Sequence, residues 1–202
     1  VYINGHLLGK RPNGYISFMY DATPYIQYGG ENIIAVRVDH SRSADSRWYT
    51  GSGIYRNVHV IYSNLVHIDQ WGVYVYPQSA TARQGVLNIE VNVKNESASA
   101  SKLIVKNELI SSDGKIVAQS SGKLDIPANA VGKYNNTLKV KTPKLWSLNF
   151  PNLYTLNTTI IQSGKIIDKT STTTGFRTFT FDPNKGFALN KEWLKIKGVC
   201  LH

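Results

Sequence analysis

The 202-residue chain holds thirteen acidic residues, five histidines and one cysteine, and these set what bond chemistry it could attempt. Carboxylates divide acid and base work only when the fold makes them converge on one reacting group. Asp39 and Asp45 share a loop, and Asp182 and Glu192 flank a hairpin, but neither pair has a reason to converge, so no catalytic residue is expected. The isolated histidines and single cysteine have no metal-ligand spacing, so neither a metal nor another cofactor is implied. Cys200 lies in the apolar run 199–201 and reads as inert. As the sole cysteine it allows no intrachain disulfide. No glycine-rich loop opens a helix to cradle a phosphate. The segment richest in binding groups is RWYTGSGIYRNV (47–58). Arg47 and Arg56 carry planar, multi-donor heads suited to carboxylate or carbonyl partners. Trp48, Tyr49 and Tyr55 add large amphipathic surface for a seam between domains. A plain loop clasp would use the same residues.

Strands must position these groups. Leu87, Ile89, Val91 and Val93 alternate with Asn88, Glu90, Asn92 and Lys94, the period-two signature of a half-buried strand. Leu103, Val105 and Leu109 continue the pattern. Asp113-Gly114, Ser163-Gly164 and Asn4-Gly5 each separate two strand-like runs and predict two-residue hairpins. No segment has a sustained helical period with caps. The fold class is therefore all-β, a β-sandwich.

Three parts are expected. Residues 1–63 read as the tail of a β-sandwich. Residues 64–176 hold seven or eight strand candidates, the number and about 100-residue size of one immunoglobulin-like sandwich. Residues 177–202 contain one hairpin and then an apolar run at 199–201 without alternation, as in a strand buried on both faces of a parallel sheet. Val1 begins directly in strand-like sequence without Met, so an excised piece of a longer polypeptide is the expectation.

The net charge is +10, yet the basic residues are scattered singly and form no run longer than Lys10-Arg11. Solvated lysines on strand faces explain this, so no nucleic-acid partner is expected. No apolar run approaches the ~20 residues of a membrane-spanning helix, so no membrane partner is expected either. Hydrophobic residues make up 42% and aromatics 11%, enough for a core built from packing alone.

Several segments occur together in a meaningful order. They are VYINGHLLGK (1–10), GGENIIAVRVD (29–39), RWYTGSGIYRNV (47–58), LWSLNFPNLYTL (145–156), GFRTF (175–179) and KGVCLH (197–202). In this order the chain resembles glycoside hydrolase family 2, the β-galactosidases, β-glucuronidases and β-mannosidases, over essentially its whole length. The wording of 47–58 is most similar to bacterial β-galactosidases. The resemblance implies the end of a jelly-roll sugar-binding domain, then an immunoglobulin-like sandwich, then the first strand of a TIM-barrel catalytic domain. It implies a retaining exo-β-glycosidase whose two catalytic carboxylates lie on later barrel strands, beyond His202. The sandwich would then be a scaffold, and the partner of the parent protein a β-linked oligosaccharide or glycoside, with room for a homo-oligomer. Substrate contacts implied by the resemblance are His202, at the C-terminal end of a barrel strand where such active sites lie, and Asp39, Arg47 and Trp48 near the site's mouth. Two departures stand out: Asp39-His40 where Asp-Asn is the family's pattern, and Asn190-Lys191 where Asn-Gly would turn more tightly. The alternative is a stand-alone immunoglobulin-like carbohydrate-binding or adhesive module, which leaves the KGVCLH ending unexplained.

Overall fold

The computed structural model describes residues 1–41 and 51–200. The chain divides into two compact units, one built on Val1–His59 and one on Val60–Val199.

In the first unit, β1 (Tyr2–Ile3) pairs with β2 (His6–Leu7) on one side and with β3 (Ile34–Ala35) on the other. Asn4 and Gly5, at φ 50° and 83°, form the expected two-residue turn between Ile3 and His6. Both positions of such a turn need positive φ, which Asn and Gly tolerate best. Side chains hold the rest of this unit. Asn4 donates from Nδ2 to Asn32 Oδ1 at 2.9 Å and accepts at Oδ1 from the Ile33 N–H at 2.9 Å. The His6 ring stacks on Tyr25, in a single 3-10 turn at Thr23–Tyr25, with centroids 4.5 Å apart.

The second unit is an immunoglobulin-like sandwich. Its strands are β4 (Val66–Ala80), β5 (Gln84–Asn95), β6 (Ser101–Ile110), β7 (Ile116–Ile126), β8 (Ala130–Lys141), β9 (Tyr154–Gln162) and β10 (Lys165–Thr174). They form one three-stranded sheet, β4-β5-β8, and one four-stranded sheet, β10-β9-β6-β7, antiparallel throughout. Leu87, Ile89, Val91 and Val93 of β5 all point into the core, as their alternation requires. Leu103, Val105 and Leu109 meet them from β6, and Leu156 and Ile160 from β9. With no disulfide available, this apolar packing takes the place of the cross-sheet bridge of antibody domains.

The two sheets are also tied by polar groups. Asp168 Oδ2 accepts from the Ile68 N–H at 2.7 Å, joining β10 to β4. Asn95, fully buried, donates to the carbonyls of Ser99 (2.8 Å) and Pro127 (2.9 Å) and accepts from the Ser97 N–H and hydroxyl. One side chain thereby fastens the β5–β6 loop to the β7–β8 loop. Between the apolar Val105 and Leu109, the core strand β6 carries Asn107, whose Oδ1 accepts from the Thr158 hydroxyl at 2.7 Å. Its buried Nδ2 has no partner.

Turn chemistry follows the sequence with one difference. Ser163 and Gly164, at φ 49° and 76°, make the two-residue turn expected between Gln162 and Lys165. The turn at Asp113-Gly114 has three residues instead of two. The Ser111 N–H reaches the Lys115 carbonyl at 2.9 Å, and Gly114 N–H closes back on the Ser111 carbonyl at 2.9 Å. The Ser111 hydroxyl bonds to both the Asp113 carboxylate and the Lys115 carbonyl, recruiting one more residue into the loop. Gly114 takes the left-handed position, φ 80°, that a three-residue turn places last.

After the sandwich, β11 (Phe179–Asp182), β12 (Gly186–Leu189) and β13 (Glu192–Leu194) form a small antiparallel sheet. Residues 195–200 form no strand, and Val199 is 95% exposed. Cys200, expected within a buried strand, is exposed. A parallel strand is held by flanking strands on both edges, and this apolar run has none among the described residues.

Candidate functional site

Of the four residues expected to contact substrate, only Asp39 lies among the described residues; Arg47, Trp48 and His202 lie outside them. Asp39 is exposed just after β3, in the first unit. Its Oδ1 accepts from the Ser41 hydroxyl at 2.6 Å and the Ser41 N–H at 3.2 Å. Arg37 approaches its Oδ2 at 3.9 Å. The Ser41 hydroxyl, then the Ser41 N–H, then the positive charges of Arg37 and Lys10 favour the carboxylate and hold its pKa below the ordinary value. A general acid needs the opposite shift. Asp39 is therefore an ionised acceptor that organises its own loop. Within the same unit, the Tyr55 hydroxyl donates to the Gly14 carbonyl at 3.0 Å, and the Arg56 guanidinium lies 5.5 Å from the Tyr55 ring centre. These contacts are those of a loop clasp.

Asp45, expected to share a loop with Asp39, lies outside the described residues. Asp182 Oδ1 accepts from the N–H groups of Asn184 and Lys185, each at 2.9 Å, and so shapes the β11–β12 turn. Among the described residues, Asp113 is the other carboxyl with a clear shift, down to about 2, caused first by the Ser111 hydroxyl and then by Lys115. Among the described residues, no three His, Cys, Asp or Glu side chains gather as a metal site.

The structure does bring two of the singled-out motifs into one node. Trp146, in 145–156, donates its backbone N–H to the Phe176 carbonyl at 2.9 Å. The Phe176 ring stands edge-on to Tyr154 at 5.1 Å, and the Tyr154 hydroxyl accepts from the Lys144 N–H at 2.9 Å. A Cβ at Gly85 would lie 2.4 Å from the Phe176 ring, so only glycine lets that ring close the sandwich end. Arg177 lies over the Trp146 ring, 4.7 Å from its centre. Asn190 then ties on the small sheet, donating to the Trp146 carbonyl at 2.9 Å and accepting from the Thr178 N–H at 3.0 Å. The conformation that frees Asn190 for this is the turn at Asn190-Lys191, with φ 50° and 72°. The node is structural: it fixes the angle at which β11–β13 leave the sandwich.

Sequence reasoning missed one group of binding-type residues. Tyr74 and Tyr76 face outward from β4, with ring centroids 5.0 Å apart, and exposed Trp71 precedes them on a bulge between the Ile68 and Val73 pairs. Their signal was present: aromatics at alternate positions opposite inward Val73 and Val75.

Comparison with known proteins places these features. The family model for glycosyl hydrolases family 2 matches residues 66–177, the span from β4 through the Phe176–Arg177 closure. A β-galactosidase of Bacteroides ovatus is 42% identical over 202 residues, covering all of this chain and 24% of the relative. A putative β-glucuronidase of Formosa agariphila is likewise 42% identical, over 203 residues, covering 100% of the chain and 19% of the relative. The crystal structure of a glycosyl hydrolase family 2 member from Bacteroides cellulosilyticus superposes with a TM-score of 0.92 at 31% identity, over 100% of this chain and 28% of that one. The chain spans about a fifth to a quarter of the length of these two relatives.

Proposed function

The chain belongs to glycosyl hydrolases family 2, and on that premise we propose that it is the non-catalytic β-sandwich portion of a retaining exo-β-glycosidase of the β-galactosidase kind. In this reading residues 1–63 complete a sugar-binding domain, residues 64–176 are the scaffold, and residues 177–202 lead into the catalytic barrel. The substrate is a terminal β-glycoside. Retaining hydrolysis needs two carboxyls about 5–5.5 Å apart, one as acid and base and one as nucleophile. Among the described residues, the carboxyls with resolved shifts, Asp39 and Asp113, both move downward, and Asp168 and Asp182 are committed to backbone N–H groups. The reading assigns catalysis to later barrel strands, where the family resemblance puts both carboxyls. The observation that carries the reading is the family match over the span that folds as the sandwich. Asp39, Arg47, Trp48 and His202 are proposed to face the substrate in the complete enzyme.

The galactoside specificity rests on the relative from B. ovatus and on the wording of residues 47–58. A second reading, β-glucuronide hydrolysis, is favoured by the equally similar relative from F. agariphila. The test is to assay the longer polypeptide that carries this sequence, beside the 202-residue chain, on aryl β-galactoside and aryl β-glucuronide. The proposal expects galactoside turnover with retained anomeric configuration by the longer polypeptide and none by the chain alone. Turnover of the glucuronide only would replace the specificity. Turnover by the purified chain would overturn the scaffold assignment.

A further inference from the structure

Asn4-Gly5 and Asn13-Gly14 are the two Asn-Gly pairs of the sequence, and both lie in the first unit. Glycine has no Cβ, so the backbone nitrogen that follows such an asparagine is unshielded. That nitrogen can attack the side-chain amide carbon, Cγ. A Cγ–N bond forms, the backbone N–H gives its proton to solvent, and ammonia leaves. The product is a five-membered imide. Water then opens either of its carbonyls. One opening gives aspartate, the other isoaspartate, in which the main chain runs through the former side chain. In sum a water is consumed and an ammonia released.

The structure holds the two pairs in opposite ways. Asn4 Nδ2, the leaving nitrogen, donates to the Tyr25 carbonyl at 2.8 Å and to Asn32 Oδ1 at 2.9 Å, while Asn4 Oδ1 accepts from the Ile33 N–H at 2.9 Å. Asn4 and Gly5 are also fixed at φ 50° and 83° between paired strands. Turning the Asn4 amide onto the Gly5 nitrogen breaks all three bonds.

Asn13 is different. Its Oδ1 accepts from the Tyr15 N–H at 2.9 Å and from the Ile16 N–H at 3.1 Å. Attack on Cγ turns that oxygen into an oxyanion, and two N–H groups already aimed at it stabilise the charge as it develops. Gly14 stands outside the left-handed region, and a Cβ built on it meets nothing within 4 Å. The activating contacts run only between residues 13 and 16, so they do not depend on what covers the loop. Asp113-Gly114 can close the same ring, yet the Ser111 hydroxyl and Lys115 keep its carboxyl ionised, and a carboxylate is a poor electrophile.

The product reaches the 47–58 motif. The Gly14 carbonyl accepts from the Tyr55 hydroxyl at 3.0 Å. Isoaspartate inserts an extra carbon into the backbone just before Gly14 and displaces that carbonyl.

We propose that Asn13-Gly14 is a self-modification site of this chain: Asn13 deamidates through the imide while Asn4 is protected, and the isoaspartate product unlatches Tyr55. This goes beyond the hydrolase reading and does not rest on it.

The test is to age the 202-residue chain at mildly alkaline pH, native and unfolded in guanidinium chloride. Trypsin separates the two pairs by cutting after Lys10, and mass spectrometry with an isoaspartyl methyltransferase label reads each one. Unfolded, the two asparagines should convert at comparable rates. Native, Asn13 should convert at least about tenfold faster than Asn4, since Asn4 must surrender three hydrogen bonds of ordinary net worth. Gly14→Ala, which the open space accommodates, should slow Asn13 severalfold by shielding the attacking nitrogen. The NMR signals of the Tyr55 ring should move as isoaspartate accumulates. Each of four results would overturn the proposal: a native rate ratio no larger than the unfolded one, aspartate at position 13 without isoaspartate, unchanged conversion in Gly14→Ala, or Tyr55 signals that stay in place once isoaspartate has formed.

Discussion

Strands β3 and β5 begin from similar residues and end differently. IIAVRV (33–38) and VLNIEVNV (86–93) are both rich in β-branched and apolar side chains. The first yields only the two-residue β3, with Ile33, Ile34, Val36 and Val38 exposed. The second yields the twelve-residue β5, with Leu87, Ile89, Val91 and Val93 buried. The difference is neighbours. β5 is flanked by β4 and β8 and faced by a second sheet, while β3 pairs with β1 alone. Strand preference is a fit to surroundings more than an intrinsic property, so stability should concentrate where partners exist on every side.

The sharpest break in that comparison would come from truncating both strands. Leu87→Ala should cost about 3–4 kcal/mol, the usual range for a filled core site. Ile34→Ala should stay within ~0.5 kcal/mol, as exposed sites do. Urea unfolding of the two variants checks this, and equal losses would mean that the first unit shares the sandwich's core. Next in size, Asn95→Ala should cost ~2–3 kcal/mol, because it strips partners from the two buried loops it joins.

The Asn107–Thr158 couple refines the picture within the core itself. Thr158→Val should cost about 1–2 kcal/mol by leaving the whole amide unpaired. The double variant Asn107→Leu/Thr158→Val should recover to the parent's stability or exceed it, since no polar group remains to be satisfied. A double-mutant cycle by denaturant melts reads the coupling. A double variant no better than the single would show that the pair contributes more than its desolvation removes.

Lys191→Gly works in the opposite direction. Lys191 sits at φ 72°, and glycine there should raise stability by ~1 kcal/mol while leaving the Asn190–Trp146 bond in place. Thermal melts with the Asn190 side-chain amide as an NMR reporter check both halves.

The smallest effect is at Asp113. Its folded pKa, about 2, lies below the ordinary carboxyl value of 3.8. A depressed pKa means stability that is present above the unfolded value and lost as pH falls through the folded one. The change should therefore occur between about pH 4 and pH 2. Ser111→Ala should move the titration midpoint of Asp113 upward, measured by side-chain carboxyl shifts, with little change in melting temperature because the group is fully exposed.

Much of the sandwich was legible in the sequence because period-two alternation reports which face of a strand is buried. The Leu87–Val93 positions and the all-β class follow from that local rule, and the turns at Asn4-Gly5 and Ser163-Gly164 from residues that tolerate positive φ. The extra loop residue at Asp113 was not legible, because it depends on a hydroxyl bonding across the turn. Family membership was legible in the order of several motifs. The role of 145–156 and 175–179 as one node was not, since Trp146 meets Phe176 and Asn190 only through long-range bonds.

By itself, then, the sequence determined where the strands run, which of their faces are apolar, and that no disulfide contributes. Those properties are set by residue type and spacing along the chain. Tertiary structure alone decided that Asn107 is buried with half its amide unpaired, that Asp39 is turned onto Ser41, that residues 195–200 lie without strand partners, and that Trp71 is held in a left-handed bulge. Each of these depends on which distant segments come into contact, and a local pattern carries no information about that.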